Sequence, residues 1–202
     1  MHPLVESAVA TAQSFDELFL GIFGKGRGKA APVPGTDVYI ILVCSAQELP
    51  QIESLYDQEP DKTIILMNLK LDVLRGDLGL PAFPPKDLQY RFLSRILPVY
   101  YLRVRSYSKS LSKPPFIINY QGALFRTYPG DWQTMLDVGD GRYKRVVTSE
   151  TRPGLGEFKV QLSEALKIGD EGKVNTFFRQ GYKTSTWWED DVEKEESNIW
   201  RS

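Results

Sequence analysis

The sequence has few of the residues on which disulfide frameworks and many catalytic or metal sites depend. It contains 202 residues but one cysteine, Cys44, and one histidine, His2. A single cysteine excludes an intrachain disulfide and fits a reducing compartment. A single histidine at the N-terminus excludes a histidine-based triad and a multi-histidine metal site in the core. We therefore expect no bound metal and no cofactor.

Excess charge and long apolar runs are also lacking. Lysine and arginine total 25 against 26 aspartates and glutamates, and this balance argues against a protein that coats nucleic acid through its global charge. No apolar run reaches the length of about 18 residues that a transmembrane helix needs, so we expect no transmembrane segment. The N-terminus lacks the charged start and apolar core of a secretory signal, and its early acids do not fit a plastid transit peptide.

The first 35 residues predict a helix followed by a linker. Apolar residues recur at helical spacing over 4–23 and form a wide apolar face. The stretch 24–35, GKGRGKAAPVPG, has the composition of a linker. Its first half resembles a phosphate loop, but Lys29 is followed by alanine rather than serine or threonine, and the segment precedes a strand instead of following one. A basic linker is therefore the favoured interpretation.

Two continuous apolar runs predict a pair of parallel strands. They lie at 38–44 and 63–69, with a helical pattern at 47–57 between them. The order strand, helix, strand implies a right-handed crossover and parallel pairing. Continuously apolar strands are typical of sheets covered on both faces, so we expect both strands in the core and Cys44 buried.

The rest of the chain predicts a helix at 86–96, an antiparallel meander and a closing helix at 155–166. From Val99 onward apolar and polar residues alternate with period two, and Asp140-Gly141 is a hairpin signal. The predicted class is α/β, most simply one mixed sheet whose parallel βαβ part leads into the meander. Three regions are predicted: the N-terminal helix and linker at 1–35, a single α/β domain at 36–168, and an acidic, tryptophan-containing tail at 169–202.

A basic strand within the meander is the first candidate site. Seven basic residues stand against one acid, Asp87, between Lys86 and Lys113. Four side chains share one face of the predicted strand: Tyr101, Arg103, Arg105 and Tyr107. Arginine binds phosphate bidentately and tyrosine stacks on bases, so this face suits phosphate, RNA or an anionic membrane surface. We expect the two arginines to be exposed or paired and to bind an anionic partner; the alternative is a solvated face neutralised in part by the acidic tail.

Two further groups of residues are candidate sites. Asp72, Arg75 and Asp77 follow the second parallel strand, where open α/β sheets bind ligands. They suit a phosphate-bearing ligand or a cation, but the aspartates also fit the start and end of a short helical turn. Trp187 and Trp188 adjoin the acidic run of the tail and favour a docking segment for a partner, with self-docking or disorder as the alternative.

Long segments of the chain carry a family resemblance. They are TDVYIILVCSAQELPQIESLY, NLKLDVLRGDLGLPAFPPKDLQYRFLS, PVYYLRVRSYSKSL, PPFIINYQGALFRTYPGDWQ and RPGLGEFKVQLSEAL. Together they resemble a domain of unknown function of cyanobacteria and plastids, over about 36 to 167. The family includes the plant low-photosystem-II-accumulation type of assembly factor and the C-terminal domain of a plastid adenylate kinase. The resemblance supplies no catalytic residues.

The resemblance implies a non-enzymatic assembly or interaction factor of the photosynthetic apparatus, acting in photosystem II biogenesis. Such a protein would lie in the plastid stroma or the cyanobacterial cytoplasm, peripheral to the thylakoid membrane. Its partners would be photosynthetic membrane proteins or their assembly factors, with anionic thylakoid lipid as a further candidate. The alternative is a small enzyme or binder of a phosphate-bearing ligand with its site at the ends of the parallel strands.

We predict that Gly24–Lys29 binds no nucleotide, because the segment lacks the hydroxyl residue and the strand order of a phosphate loop. Titration of the isotope-labelled protein with ATP should leave the backbone amide signals of this segment unmoved. Shifts of these signals at micromolar ATP would contradict the prediction.

Overall fold

A computed structural model of the chain describes residues 30–42, 48–69, 86–111, 113–167, 189 and 191–202. The chain divides into two compact units, 1–69 and 70–202. Several sequence predictions lie outside the described residues: the helix at 4–23, the loop Gly24–Lys29 and the burial of Cys44. The bounds of the three predicted regions stay a prediction.

The first unit contains the predicted parallel pair. Strand β1 is Val38–Leu42, helix α1 is Leu49–Gln58 and strand β2 is Thr63–Met67. The two strands pair in parallel in a register that sets Val38 opposite Thr63 and Leu42 opposite Met67. A proline stands in the first turn of α1, where its missing N–H is not needed. The parallel pairing predicted from the strand, helix, strand order is confirmed.

The expected burial of this pair on both faces is wrong for the described residues. Side chains on one face of the sheet are exposed, and apart from Thr63 they are apolar: Val38, Ile40, Leu42, Ile65 and Met67. Exposure alternates along both strands, as the pleat of a strand dictates. A single crossover helix can cover only one face of a two-stranded sheet. The continuous apolar runs therefore predicted correctly that the two strands pair, but not which of their faces are covered.

The second unit contains the predicted meander, which forms a sheet of its own. Its four strands pair antiparallel in the order β3-β4-β5-β6. They are β3 (Tyr100–Ser110), β4 (Ile117–Thr127), β5 (Trp132–Asp137) and β6 (Tyr143–Ser149). The α/β class and the order of parallel pair, meander and helix are confirmed, with the strands in two sheets instead of one.

Two helices accompany the meander. Helix α2 is Lys86–Arg91 and continues into a 3-10 turn at Leu93–Arg95, so the helix predicted at 86–96 tightens at its end. The buried Ser94 hydroxyl donates a hydrogen bond to the carbonyl oxygen of Tyr90 at 2.6 Å. Helix α3 is Leu155–Ala165, close to its predicted bounds. None of the helices in the described ranges is long and apolar enough to cross a membrane.

The core of the second unit lies between α3 and one face of the meander, which we call the inner face. Its buried residues are Tyr120, Leu124, Trp132, Leu136, Phe158 and Leu162. Gly122 on β4 lies directly under Leu162. A Cβ at Gly122 would lie 2.5 Å from Leu162 Cδ1 and 2.7 Å from the carbonyl oxygen of Met135. The absence of a side chain there lets α3 seat closely on the sheet.

We predict that Gly122→Ala lowers the free energy of unfolding by about 1–3 kcal/mol, the usual cost of overpacking. Leu162 has some freedom to move, but the carbonyl of Met135 is backbone held in the β4–β5 ladder. Chemical denaturation followed by tryptophan fluorescence measures the change. Ser106→Ala on the exposed side of β3 is the control and should cost within about 0.5 kcal/mol. Equal stability of the two variants would contradict the close seating of α3.

Candidate functional site: an arginine-lined cleft

In β3 the face that was expected to be exposed is the covered one, and the other face is exposed. The predicted alternation holds, with Arg103 and Arg105 on one face and Leu102 and Val104 on the other. The arginines, however, lie half-buried on the inner face, whereas Leu102 and Val104 are 57% and 49% exposed. Full exposure of the basic face, one of the two expected arrangements, is therefore wrong. That these arginines bind an anionic partner stays a prediction.

The neighbouring strand explains this outcome. In the β3–β4 register Arg103 lies opposite Leu124 and Arg105 lies opposite Gly122, and directly opposed residues share a face of the sheet. Leu124 belongs to the buried cluster under α3. The arginines therefore share the face that the helix covers. This information lies in β4 and α3, not in the alternation within β3.

The predicted tyrosines also lie on the inner face. The ring of Tyr101 packs edge-on to Trp132 at 5.2 Å between centroids, and the ring of Tyr107 stacks on Tyr120 at 5.5 Å. Burial raises the pKa of Tyr107 and of Tyr120 above the usual range. Tyr107 packs in addition against Phe158 of α3. Tyr101 and Tyr107 thus pack against the core, and neither is an open platform for stacking bases.

Arg103 and Arg105 line a small cleft beside the N-terminus of α3. Arg152, on the segment that leads into the helix, forms another part of its wall, and Glu189 lies in the same wall. The free volume is about 20 Å³, enough for one water molecule. The cleft therefore brings the predicted Arg103, Arg105 and Tyr101 together with Arg152, which the sequence did not indicate. It also contains Glu189, a residue of the acidic tail that the alternative interpretation set against this basic face.

Glu189 caps α3 from a distant part of the chain. Its Oε1 accepts a hydrogen bond at 2.8 Å from the backbone N–H of Leu155, the first residue of the helix. The N-cap position is Gly154, which has no side chain to cap the helix itself. The carboxylate lies close beside Gly154, since a Cβ there would be in van der Waals contact with Glu189 Oε1 at 3.4 Å. Negative charge at a helix N-terminus is favoured by the helix dipole and by the unpaired N–H groups.

The last twelve residues dock on the second unit. The carbonyl oxygen of Arg201 accepts hydrogen bonds from the backbone N–H of Arg152 at 2.7 Å and from Trp132 Nε1 at 3.1 Å. Trp200 is 1% exposed, and its Nε1 donates to Glu195 Oε2 at 3.0 Å. The end of the acidic tail therefore completes the fold of the second unit by self-docking. Trp187 and Trp188, predicted to dock on a partner, lie outside the described residues.

Contacts with α2 hold the start of this docked segment. Tyr90 donates a hydrogen bond from its hydroxyl to Asp191 Oδ2 at 2.7 Å, and its carbonyl oxygen accepts one from the backbone N–H of Glu196 at 2.9 Å. Hydrogen bonds from Lys194 and Tyr90 lower the pKa of Asp191. Arg95 forms an ion pair with Glu196 at 2.6 Å. Polar contacts thus fix the segment immediately after Glu189.

Arg152 joins the docked segment to the meander through stacked rings. Its guanidinium lies 5.2 Å from the Trp200 ring, 5.8 Å from the Trp132 ring and 5.6 Å from the Tyr101 ring. A cation over aromatic rings gains more when it is shielded from water, as here. The sequence signal for this residue is weak, because Arg152 stands in a Pro-Gly loop with no pattern around it.

Arg126 is a further arginine on the inner face that the sequence did not single out. It is 4% exposed, and burial lowers its pKa. Its Nε donates to the carbonyl oxygen of Gly130 at 3.1 Å, and its guanidinium lies 5.2 Å from the Trp132 ring. Its Nη1 has no hydrogen-bond partner among the described residues. The inner face is therefore strongly basic as well as apolar.

The other face of the meander, which we call the outer face, is apolar at its β3 edge. Tyr100 is 69% exposed, and Leu102 and Val104 follow it along the strand. Phe125 on β4 lies opposite Leu102, and its ring packs edge-on to Tyr100 at 5.8 Å. Contiguous exposed apolar side chains of this kind mark interaction surfaces in soluble proteins. This strip lies on the opposite side of the sheet from the arginine-lined cleft.

The alternative ligand site at Asp72, Arg75 and Asp77 lies outside the described residues. The structure therefore reports nothing on whether these side chains converge. Within the described ranges, no group of three or more histidine, cysteine or acidic side chains is placed to hold a metal ion.

Comparison with known proteins identifies a family. Residues 4–160 match the family described as a domain of unknown function, DUF1995. The match begins well before β1 and so includes the predicted helix and linker at 4–35. No curated protein and no solved structure matches the chain.

We predict that Trp200→Ala lowers the free energy of unfolding of the second unit by about 3–5 kcal/mol, the usual cost of removing a buried tryptophan. The neighbouring Ile199 is 38% exposed, so Ile199→Ala is the matched control and should cost about 1 kcal/mol or less. Guanidinium denaturation followed by far-ultraviolet circular dichroism measures both. An unchanged midpoint for Trp200→Ala would show that the docked segment adds nothing to the core.

Proposed function

The chain belongs to the DUF1995 family, and we propose that it is a non-enzymatic interaction factor that assists assembly of the photosynthetic apparatus, in particular photosystem II. It acts at the thylakoid surface, in the stroma of plastids or the cytoplasm of cyanobacteria. Its partners are photosynthetic membrane proteins or their assembly factors.

The biological part of this proposal is supported by the sequence resemblance. The stretches around β1, β3, β4 and α3 resemble the low-photosystem-II-accumulation type of assembly factor and the domain appended to a plastid adenylate kinase. An assembly factor needs surfaces that bind other proteins and does not need a catalytic centre. The proposal therefore depends on whether the fold offers a protein-binding surface.

The apolar strip on the outer face is the observation that carries the proposal. Tyr100, Leu102 and Val104 are each about half exposed or more, on a strand at the edge of its sheet. Leaving such side chains in water forgoes roughly 25 cal/mol for each Å² of apolar surface that a partner would cover. Aromatic residues near the centre of an apolar patch are typical of interface hot spots, and Tyr100 with Phe125 provides such a pair.

We predict that Leu102→Gln/Val104→Thr weakens partner capture while the protein remains folded. Both side chains are exposed, so the variant should be within about 0.5 kcal/mol per site of the wild type in stability. The purified wild-type chain, immobilised and exposed to detergent-solubilised thylakoids, should enrich photosystem II proteins identified by mass spectrometry. The variant should enrich them at least roughly tenfold less, because a tenfold loss of affinity corresponds to about 1.4 kcal/mol, which lies within what two buried apolar side chains contribute.

A control variant removes exposed apolar side chains elsewhere on the same unit. Val160→Thr/Leu166→Gln changes two exposed residues of the α3 region and should capture the same proteins as the wild type. Two results would contradict the proposal: no photosystem II protein enriched above empty beads, or equal capture by the outer-face variant and the wild type.

A further inference from the structure

The position of Glu189 places a carboxylate where an anionic ligand would bind. Three guanidinium-bearing residues, Arg103, Arg105 and Arg152, line the cleft with it. The N–H of Leu155 at the start of α3 points to Glu189 Oε1. Arginine forks and helix N-terminal N–H groups both recognise carboxylates and phosphates. The chain has thus filled a basic cleft with one of its own acids.

We propose that this cleft binds an acidic side chain of a partner protein and that Glu189 is the built-in competitor that closes it. The inference rests on the proposed function in one respect, namely that the ligand belongs to a protein. It adds a second binding surface, the class of residue that this surface recognises, and a means of regulating it.

The size of the cleft requires displacement. With Glu189 in place about 20 Å³ remain, which is too little for a carboxylate beside the one already there. An incoming acid must therefore take the place of Glu189 at the Leu155 N–H. The three atoms nearest to a Cβ placed on Gly154 all belong to the Glu189 carboxylate, so this carboxylate occupies the space beside the first turn of α3.

The docked C-terminal segment makes Glu189 a tethered competitor. Two residues after Glu189, Asp191 accepts hydrogen bonds from Tyr90 and Lys194. A short tether keeps the effective concentration of a carboxylate at its site in the millimolar range. A partner must therefore supply several acids, or a high local concentration of one acid, in order to displace Glu189. Loosening of the docked segment would lower the local concentration of Glu189 and would also release Arg152, which Trp200 and Arg201 contact.

The occupant itself indicates the chemistry of the ligand. Glu189 begins the stretch EDDVEKEE at 189–196. Asp191, Glu195 and Glu196 after it bind outside the cleft, at Tyr90, Arg201 and Arg95. The cleft therefore takes a single carboxylate that a peptide chain presents, and an acidic peptide segment reproduces this arrangement. A free phosphate would fit the guanidinium groups but has no chain to present it.

The test uses Glu189→Gln, which removes the negative charge and keeps an amide oxygen to accept from Leu155 N–H. The probe is a synthetic peptide of residues 187–198 of this chain, added to the full-length protein and followed by isothermal titration calorimetry. We expect weak binding to the wild type and roughly tenfold tighter binding to Glu189→Gln, within the usual range of coupling between competing events. The backbone amide signal of Leu155 should shift on titration of the variant.

Matched variants locate the binding. In the Glu189→Gln background, Arg103→Gln/Arg105→Gln should return peptide binding to the wild-type level. Lys144→Gln/Arg145→Gln, which removes two exposed basic residues of β6, should not. If the arginine variant fails to fold, the Leu155 amide shift in Glu189→Gln decides the question alone.

Equal peptide affinity of the wild type and Glu189→Gln would overturn the proposal and leave Glu189 as a helix cap only. So would an unmoved Leu155 signal, or equal losses in the arginine and β6 variants. Tighter binding of inorganic phosphate than of the peptide would overturn the assignment to an acidic protein. A failed thylakoid capture together with the expected peptide response would refute the photosynthetic partner and leave the cleft intact.

Discussion

The close seating of α3 on the meander is the contact on which the second unit depends. Gly122 lets Leu162 reach the sheet, since any Cβ there would lie 2.5 Å from Leu162 Cδ1. This contact fixes the axis of the helix and carries its N-terminus to the arginines of β3. The packing of α3 therefore also determines the positions of Glu189 at its N-terminus and of Arg152 just before it. The cleft is thus a consequence of helix packing, made possible by one residue without a side chain.

The basic character of the inner face explains why the acidic end of the chain docks. A buried cation that loses its counter-charge costs several kcal/mol in effect, so a core face with arginines needs acids from elsewhere. The acidic end of the chain brings one: Glu189 lies in the cleft with Arg103 and Arg105. The almost fully buried Glu195 pairs within the docked segment itself, with Arg201 at 3.3 Å. Aromatic rings stabilise the cations further, as they do beside the guanidinium groups of Arg126 and Arg152.

Local pattern predicted the elements of this fold well, but not which of their faces are covered. Period-two alternation in β3 correctly grouped Arg103 with Arg105 and Leu102 with Val104, because the pleat is a local property. Which face of β3 is covered depends on Leu124 of β4 and on α3, and these contacts with the face form only when the chain folds. Trp200 shows the same limit. It lies in a polar segment with no periodic pattern, and its burial depends on contacts outside any such pattern: the guanidinium of Arg152 lies over its ring, and Glu195 accepts a hydrogen bond from its Nε1.

The two surfaces of β3 are geometrically independent although they share one strand. Successive side chains of a strand point to opposite faces of the sheet, so Leu102 and Val104 face away from the cleft that Arg103 and Arg105 line. A protein that covers the outer face therefore does not obstruct an acid entering from the side of α3. β3 lies at the edge of its sheet, so one partner can reach around it to both faces. Such a partner would combine an apolar surface with an acidic arm. Its binding to the apolar strip would raise the local concentration of the acid that competes with Glu189.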